Sequence, residues 1–316
     1  IVAILGTMQV NIVFLRLVAL LSIFLRSFIL MIYVKINYKF INYKEKPNKK
    51  ALNKRWDSLY LQILGAIHQG APAVILTLVT RDLKLVSVYT VFNIVTSGLN
   101  GILSIFKSGL SASFGDVIAK GEKKILQKSY SEFEFSYYAL ITAVYSIAFI
   151  MIMPFIKIYT SNVTDINYNV PLIGFLIVLN GLLYNIKTPQ GMLVLSAGLF
   201  KETKVQTTIQ GLIAVVGGLI LAPFFGVAGV LIGSILSNLY RCIDLLFFIP
   251  RNVTKLPVKN TVFRVIRIGI IVLIIKFISS FIYINPTNYF SWIRDAVITA
   301  VYVIAVVIMI NFIFER

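Results

Sequence analysis

The sequence is poor in the side chains on which most catalytic and metal sites depend. It has one cysteine, Cys242, and one histidine, His68, among its 316 residues. A single cysteine cannot form an intrachain disulfide, and one histidine gives no basis for a zinc cluster or a His-based triad. The motifs of phosphate-binding loops, serine hydrolases, zinc proteases and dinucleotide-binding folds are absent. We therefore expect a protein that is not an enzyme and that holds no cofactor and no metal.

Acidic residues are also scarce, since 12 Asp and Glu stand against 30 Lys and Arg. Only Asp244 lies well inside an apolar run. Glu132 and Glu134, two residues apart at the start of a predicted helix, point in different directions, and we interpret them as complements to a helix N-terminus. The shortage of carboxylates disfavours exporters of cationic drugs, which need such groups in the membrane to bind substrate and coupling ions.

Long apolar runs dominate what is present. The chain is 58% hydrophobic with a mean hydropathy of +0.88, whereas a soluble domain is about 45–50% apolar. A helix needs about 20 apolar residues to cross the hydrocarbon layer. Nine such runs lie near 12–34, 58–80, 86–110, 135–158, 171–195, 205–224, 227–249, 266–284 and 293–314. None shows sustained polar/apolar alternation, so we predict an all-α, polytopic transmembrane bundle of about nine helices.

Basic residues concentrate in alternate connectors between these runs. One set comprises 35–57, 111–134, 196–204 and 250–265, and the other set holds only Arg81 and Lys84. The positive-inside rule then places the basic set and the C-terminus in the cytoplasm. Basic charge distributed in this way serves orientation, so we expect no nucleic-acid partner. Residues 1–11 resemble the outer end of a preceding helix, and we expect the chain to be part of a longer protein.

Two charged residues within the runs suggest a polar cavity. A charge at this depth costs about 2.5–3.5 kcal/mol on insertion scales, so it needs water or a partner. Arg26 lies just past the middle of its run, beside Ser27. Lys187 precedes Pro189, which weakens the helix, and broken helices are tolerated where they line a cavity. We expect Arg26 and Lys187 to face such a cavity.

Four further residues are candidates for the same site. Arg241 lies near Asn238 and three residues before Asp244, so it could line the cavity or form an internal pair with Asp244 on one helix face. Asp244, Asn185 and His68 are secondary candidates. His68 could relay a proton, although a buried, hydrogen-bonded neutral histidine is the simpler interpretation.

Small residues predict close helix packing within the bundle. Gly229 and Gly233 form a GxxxG motif, and Gly98 and Gly101 begin another stripe of small residues. Such positions let helix backbones approach closely in a membrane.

Short motifs occur along the chain in a specific order and spacing. They are at 26–27, 33–35, 56–57, 62–65, 71–72, 86–93, 98, 113–122, 201–203 and 226–230. Together they resemble helices six to fourteen of the O-antigen and capsule flippases, a bacterial branch of the multidrug/oligosaccharidyl-lipid/polysaccharide transporter superfamily. The resemblance covers essentially the whole chain.

This resemblance implies a two-lobed, V-shaped transporter of which the chain supplies the second lobe. Residues 1–57 would hold the last helix of the first bundle and a basic linker, 58–249 the six-helix second bundle, and 250–316 two additional helices. The implied substrate is an undecaprenyl-diphosphate-linked oligosaccharide, flipped from the inner to the outer leaflet of the bacterial cytoplasmic membrane for surface polysaccharide export. Arg26, Lys187 and Arg241 are the candidates to line its cationic cavity, and at least one of them would contact the diphosphate. Membrane lipids and polysaccharide assembly machinery would be the other partners.

Two other functions stay open on the sequence. One is an ion-coupled drug or metabolite antiporter of the same superfamily. The other is a membrane sugar polymerase or ligase, which is disfavoured because such enzymes carry a long outer loop and the predicted outer connectors are short.

Overall fold

The computed structural model describes residues 11–40, 55–282 and 284–314, and these residues are almost entirely helical. The predicted connector 35–57 lies largely outside them, as does the segment 1–10. No β-strand occurs in the described ranges, which confirms the all-α class. The helices are α1 (Ile12–Asn37), α2 (Arg55–Thr80), α3 (Leu83–Ala119), α4 (Lys123–Tyr159), α5 (Pro171–Ile186), α6 (Thr188–Ser196), α7 (Lys204–Phe225), α8 (Val227–Ile249), α9 (Val258–Ser279) and α10 (Tyr289–Phe314).

Eight helical segments in this part of the chain are long and apolar enough to cross a membrane, counting α5 and α6 as one. The protein is therefore a multi-pass membrane helical bundle. Helix α9 is not one of the eight, because it is too rich in charge. Every 18-residue stretch of it contains at least three of Lys259, Arg264, Arg267 and Lys276. It also begins eight residues before the predicted run 266–284, since Arg264 finds a polar partner inside the protein.

The chain divides into two compact units, Ile1–Asn53 and Lys54–Arg316. In the first unit, Asn11 caps helix α1 by accepting a hydrogen bond from the Val13 amide at 2.9 Å. No side chain that the structure describes on α1 is buried. The second unit holds all the other helices and a continuous core.

Helices α3 and α4 extend well beyond the predicted runs. Each has 37 residues, which corresponds to about 55 Å, whereas the hydrocarbon layer is about 30 Å thick. The predicted connector 111–134 is therefore mostly helical, and only residues 120–122 of it are not. The extensions are held by their own apolar cluster, in which Phe114 and Tyr130 meet edge to face at 6.4 Å.

Helices α7 and α8 form the closest pair in the second unit. They are joined by Gly226 alone, whose φ of +55° favours glycine because it has no Cβ. A Cβ on Gly229 would lie 2.3 Å from the Leu221 carbonyl oxygen, and one on Gly233 would lie 2.6 Å from the Gly218 amide nitrogen. The predicted GxxxG packing is confirmed. In contrast, Gly98 and Gly101 have no atom within 4 Å of such a Cβ.

Helices α9 and α10 pack on one side of α4. Ile271 and Ile275 of α9 and Val303 and Val307 of α10 form a separate apolar cluster with the small residues that α4 presents. At the other end of α10, the Trp292 indole donates to the Met151 carbonyl oxygen at 3.3 Å. Helices α2, α3, α5 and α8 of the second unit line the cavity described next.

Candidate functional site

The α5–α6 segment is interrupted at Lys187. Helix α5 ends at Ile186 and α6 begins at Thr188, so Lys187 is the junction residue between them. Pro189 causes the interruption because it has no amide proton for the helical bond of its position and its ring crowds the preceding turn. The break that the sequence predicts beside Lys187 is confirmed.

A polar cavity of about 320 Å³ lies next to this break. Its polar lining comes from four helices: His68 and Gln69 of α2, Tyr89, Asn93, Thr96, Ser97 and Asn100 of α3, Asn180 and Tyr184 of α5, and Ser234 and Asn238 of α8. Among the residues that the structure describes here, none lining the cavity carries a carboxylate, a guanidinium or an ammonium group. The lining consists of amides, hydroxyls and one imidazole.

The cavity lies at membrane depth. His68 is near the middle of α2, and Asn93, Asn180 and Asn238 each lie about 15 Å along their helices from the predicted outer ends, close to half of a hydrocarbon layer. Polar groups at this depth need a partner or water.

Lys187 reaches the edge of this cavity through a short polar chain. Its Nζ donates to Asn238 Oδ1 at 2.7 Å, and Asn238 Nδ2 donates to Asn180 Oδ1 at 2.8 Å. The ammonium also lies 5.0 Å from the centroid of the Tyr184 ring, a favourable cation–π distance. Lys187 has no ion pair with any carboxylate in the described ranges, so its charge is stabilised by dipoles and a ring face.

Lys187 also lines a second cavity, of about 200 Å³. The other residues lining it are mostly aliphatic and include Leu183 of α5, Ile243 of α8 and Val265 of α9. Lys187 is therefore close to both cavities, since it lines the apolar one and donates to Asn238, which lines the polar one.

Asn185 organises the wall of the cavity without lining it. It is 2% exposed, and its Oδ1 accepts from Tyr137 Oη at 2.7 Å. Its Nδ2 donates to Asn100 Oδ1 at 2.7 Å and to Tyr145 Oη at 2.8 Å. Gly181 makes room for this cluster, because a Cβ there would lie 2.7 Å from the Tyr145 ring.

Arg241 forms the internal pair that the sequence left as one of two alternatives. Its NH1 lies 2.6 Å from Asp244 Oδ2, and the Arg241 and Asp244 side chains are 8% and 18% exposed. The two residues are three apart on α8, where helical geometry brings side chains together. Arg241 is not among the residues that line the polar cavity, and its charge is already balanced.

Arg26 and His68 have different surroundings. Arg26 is exposed on α1, in the first unit, and its neighbour Ser27 bonds back to the Ile23 carbonyl oxygen at 3.0 Å. His68 lines the polar cavity, and its buried Nδ1 has no hydrogen-bond partner among the described residues. The simple picture of a hydrogen-bonded core histidine therefore does not hold for that atom.

Sequence reasoning missed Glu134. This carboxylate is 2% exposed and lies well inside α4, so the interpretation of Glu134 as a complement to a helix N-terminus is wrong. It accepts from Tyr130 Oη at 2.9 Å, Gln190 Nε2 at 3.0 Å and Arg264 NH1 at 2.9 Å. The error arose because the apolar pattern starts the helix at 135, whereas α4 starts at Lys123.

The sequence also held a signal for the α3 wall of the cavity. Asn93, Thr96, Ser97 and Asn100 are spaced i, i+3, i+4 and i+7, which is a polar stripe on one face of an otherwise apolar helix.

No protein-family model matches the chain, and neither a curated protein nor a solved structure matches it.

The chemistry of the site follows from its lining. Amides and hydroxyls offer donors and acceptors together, which suits a ligand rich in hydroxyl groups. The nearby ammonium supplies one positive charge, which suits an anion such as a phosphate. Among the described residues that line the cavity, none carries a carboxylate that could pair with the His68 imidazole.

Proposed function

We propose that this protein takes part in flipping an undecaprenyl-diphosphate-linked oligosaccharide from the inner to the outer leaflet of the bacterial cytoplasmic membrane. The oligosaccharide would lie in the polar cavity, and the diphosphate would lie near Lys187. The observation that carries this proposal is a cavity of amides and hydroxyls at membrane depth, beside an ammonium group that has no carboxylate partner among the described residues.

The sugar half of the proposal is supported by the hydrogen-bonding capacity of the cavity. A sugar brings several hydroxyl groups that must exchange water for protein partners, and leaving a polar group unpaired costs about 1–3 kcal/mol. Asn93, Asn180 and Gln69 present amides, and Tyr89 and Tyr184 add hydroxyls and ring faces.

The lipid half is supported by the position of Lys187. A diphosphate attached to a lipid needs a cation at the boundary between polar and apolar surroundings. Lys187 suits this position, because it bonds Asn238 of the polar cavity and also lines a cavity whose other side chains are mostly aliphatic. The resemblance to polysaccharide flippases supports the same substrate. The alternating basic connectors support a cytoplasmic C-terminus.

Substitution of Lys187 tests this proposal. Lys187→Ala removes the charge-assisted hydrogen bond to a phosphate, worth about 1.5–3 kcal/mol, and should lower export by about tenfold or more. Lys187→Arg keeps the positive charge and should retain part of the activity. The measurement is the amount of surface polysaccharide per molecule of inserted protein, in cells that make the protein from its natural gene.

Lys157→Ala is the matched control. Lys157 is exposed near the end of α4, where a long side chain reaches the headgroups, and its loss should leave export unchanged. Normal export by the Lys187→Ala protein would contradict the proposed role of the cavity.

A further inference from the structure

Side chains on one face of α4 form hydrogen bonds to both sides of the α5–α6 break at Lys187. Glu134, Tyr137 and Tyr138 are spaced i, i+3 and i+4, so they share that face. Tyr137 Oη donates to Asn185 Oδ1 at 2.7 Å, and Tyr138 Oη donates to the Ile186 carbonyl oxygen at 2.9 Å. Both acceptors lie in the last turn of α5, directly before the break.

Glu134 fixes the other side of the same break. Gln190, in the first turn of α6, donates through Nε2 to Glu134 Oε1 at 3.0 Å and to Tyr138 Oη at 2.8 Å. Gln190 is 4% exposed, so water does not compete for these bonds. The α4 face therefore contacts α5 before Lys187 and α6 after it.

Helix α9 holds the Glu134 carboxylate from the opposite direction. Arg264 NH1 lies 2.9 Å from Glu134 Oε2, and Thr261 Oγ1 lies 3.0 Å from the same oxygen. Arg264 also bonds the Ser131 carbonyl oxygen at 3.1 Å, which fixes its guanidinium against α4. Charge-assisted bonds of this kind are short and geometrically specific. The result is a continuous polar connection from α9 through Glu134 to the break.

We propose that Glu134 is a positioning residue for Lys187: through Gln190 and Tyr138 it fixes the α5–α6 break at which Lys187 points to Asn238. This inference rests on the proposed function, because Lys187 matters for transport only if it binds the substrate anion.

A purely structural role explains the arrangement less well. The docking of α9 and α10 on α4 is already supplied by apolar packing. A buried ion pair can often be replaced by well-packed apolar side chains without loss of stability. What the apolar contacts do not supply is a fixed geometry at the break, where Pro189 has no amide proton and so removes one of the backbone bonds of the turn that holds Lys187.

Thiol labelling at position 187 tests the inference without any substrate. Lys187→Cys is made in a Cys242→Ser background, and the rate of reaction with a small membrane-permeant thiol reagent is measured. Adding Glu134→Gln or Gln190→Met should raise the rate by about fivefold or more, because the break then opens more often. Glu132→Gln is the matched control, since Glu132 is exposed on the same helix, and it should leave the rate unchanged.

A binding measurement with Lys187 intact tests the functional consequence. Glu134→Gln and Gln190→Met should each weaken binding of an undecaprenyl-diphosphate oligosaccharide by the purified protein about tenfold. The double variant should bind no more weakly than either single variant, because both changes interrupt one connection. Gln190→Met removes no charge, so its thermal midpoint should fall less than that of Glu134→Gln, which leaves Arg264 without this carboxylate.

The outcomes separate the two proposals. Unchanged labelling and unchanged binding in both single variants would overturn the role of Glu134. If the unaltered protein binds no lipid-linked oligosaccharide, the proposed function fails, and the labelling rates still decide whether Glu134 fixes the break. If the Glu134→Gln protein does not fold, the labelling and binding of the Gln190→Met protein test the role of Glu134 by themselves, since Gln190→Met removes no charge.

Discussion

The buried asparagines of the second unit serve two different purposes. Asn185 bonds Tyr137, Tyr145 and Asn100, and its side chain is buried, so a ligand in the cavity does not reach it. Asn93 lines the cavity, and the only side chain that bonds it among the described residues is Thr96, at 3.3 Å. Asn185 therefore stabilises the wall of the cavity, whereas Asn93 lines the cavity itself.

Leucine substitution separates these roles. Asn185→Leu leaves the hydroxyls of Tyr137 and Tyr145 buried with fewer partners, and should lower the free energy of unfolding by about 1–3 kcal/mol. Asn93→Leu removes an amide from the cavity surface, and should weaken binding of the lipid-linked oligosaccharide with little change in stability. Thermal unfolding and ligand binding of the two purified variants are the measurements. Equal losses of stability in both would contradict the assignment.

Single residues also mark how far sequence reasoning could go. Lys187 could be predicted because a charge beside a proline is conspicuous in an apolar run. Arg241 could only be left between two roles, since spacing permits the pair with Asp244 but does not require it. Glu134 could not be found, because its partners Gln190 and Arg264 lie 56 and 130 residues away in the chain. Contacts of that range depend on helix packing, which a hydropathy pattern does not contain.

At the scale of elements, the glycines of α8 determine how closely two helices can pack. Gly233 lies so close to the α7 backbone that any side chain at this position would push the two helices apart. Gly101 on α3 faces open space. Glycine itself lowers helix stability by about 0.5–1 kcal/mol relative to alanine. The two positions should therefore respond in opposite directions to the same substitution.

Alanine at these two sites provides a matched pair. Gly233→Ala should lower the free energy of unfolding by about 1–3 kcal/mol, because the added methyl group overpacks the α7–α8 contact. Gly101→Ala should leave the free energy of unfolding unchanged or raise it slightly. Unfolding of the two proteins in the same detergent measures both. If the Gly233→Ala protein is as stable as the unaltered one, helices α7 and α8 can move apart without cost, which would contradict this prediction.

With α5 and α6 counted as one, the helices of the described ranges could be predicted in number and order, but their ends could not. Hydropathy shows where the chain is apolar. The length of an apolar run reflects the thickness of the bilayer, whereas the helix that contains the run can continue beyond it. Helices α3 and α4 continue past the apolar runs because residues such as Phe114 and Tyr130 give their extensions a core of their own. Helix α9 begins earlier than its run because Arg264 is paired with Glu134.

At the scale of the whole molecule, the second unit is built from nested layers. Helices α2, α3, α5 and α8 contribute the walls of the polar cavity. Helix α4 supports the broken segment from behind, and α9 and α10 pack on the far side of α4. In the proposed flipping by alternating access, bundles would rock about a shared site largely as rigid bodies. The buried tyrosine and asparagine contacts would hold this wall of the cavity together during such a movement.

Photo-crosslinking tests the central claim most directly, since it reports where the oligosaccharide lies. A benzophenone side chain replaces Tyr184, in the cavity, or Ile220, which is 59% exposed on α7. Cells that make the protein from its natural gene are labelled in the sugar and irradiated. We predict that the protein with the probe at 184 captures the labelled lipid-linked oligosaccharide and that the protein with the probe at 220 does not. Capture at 220 equal to capture at 184, or no capture at 184, would contradict the account.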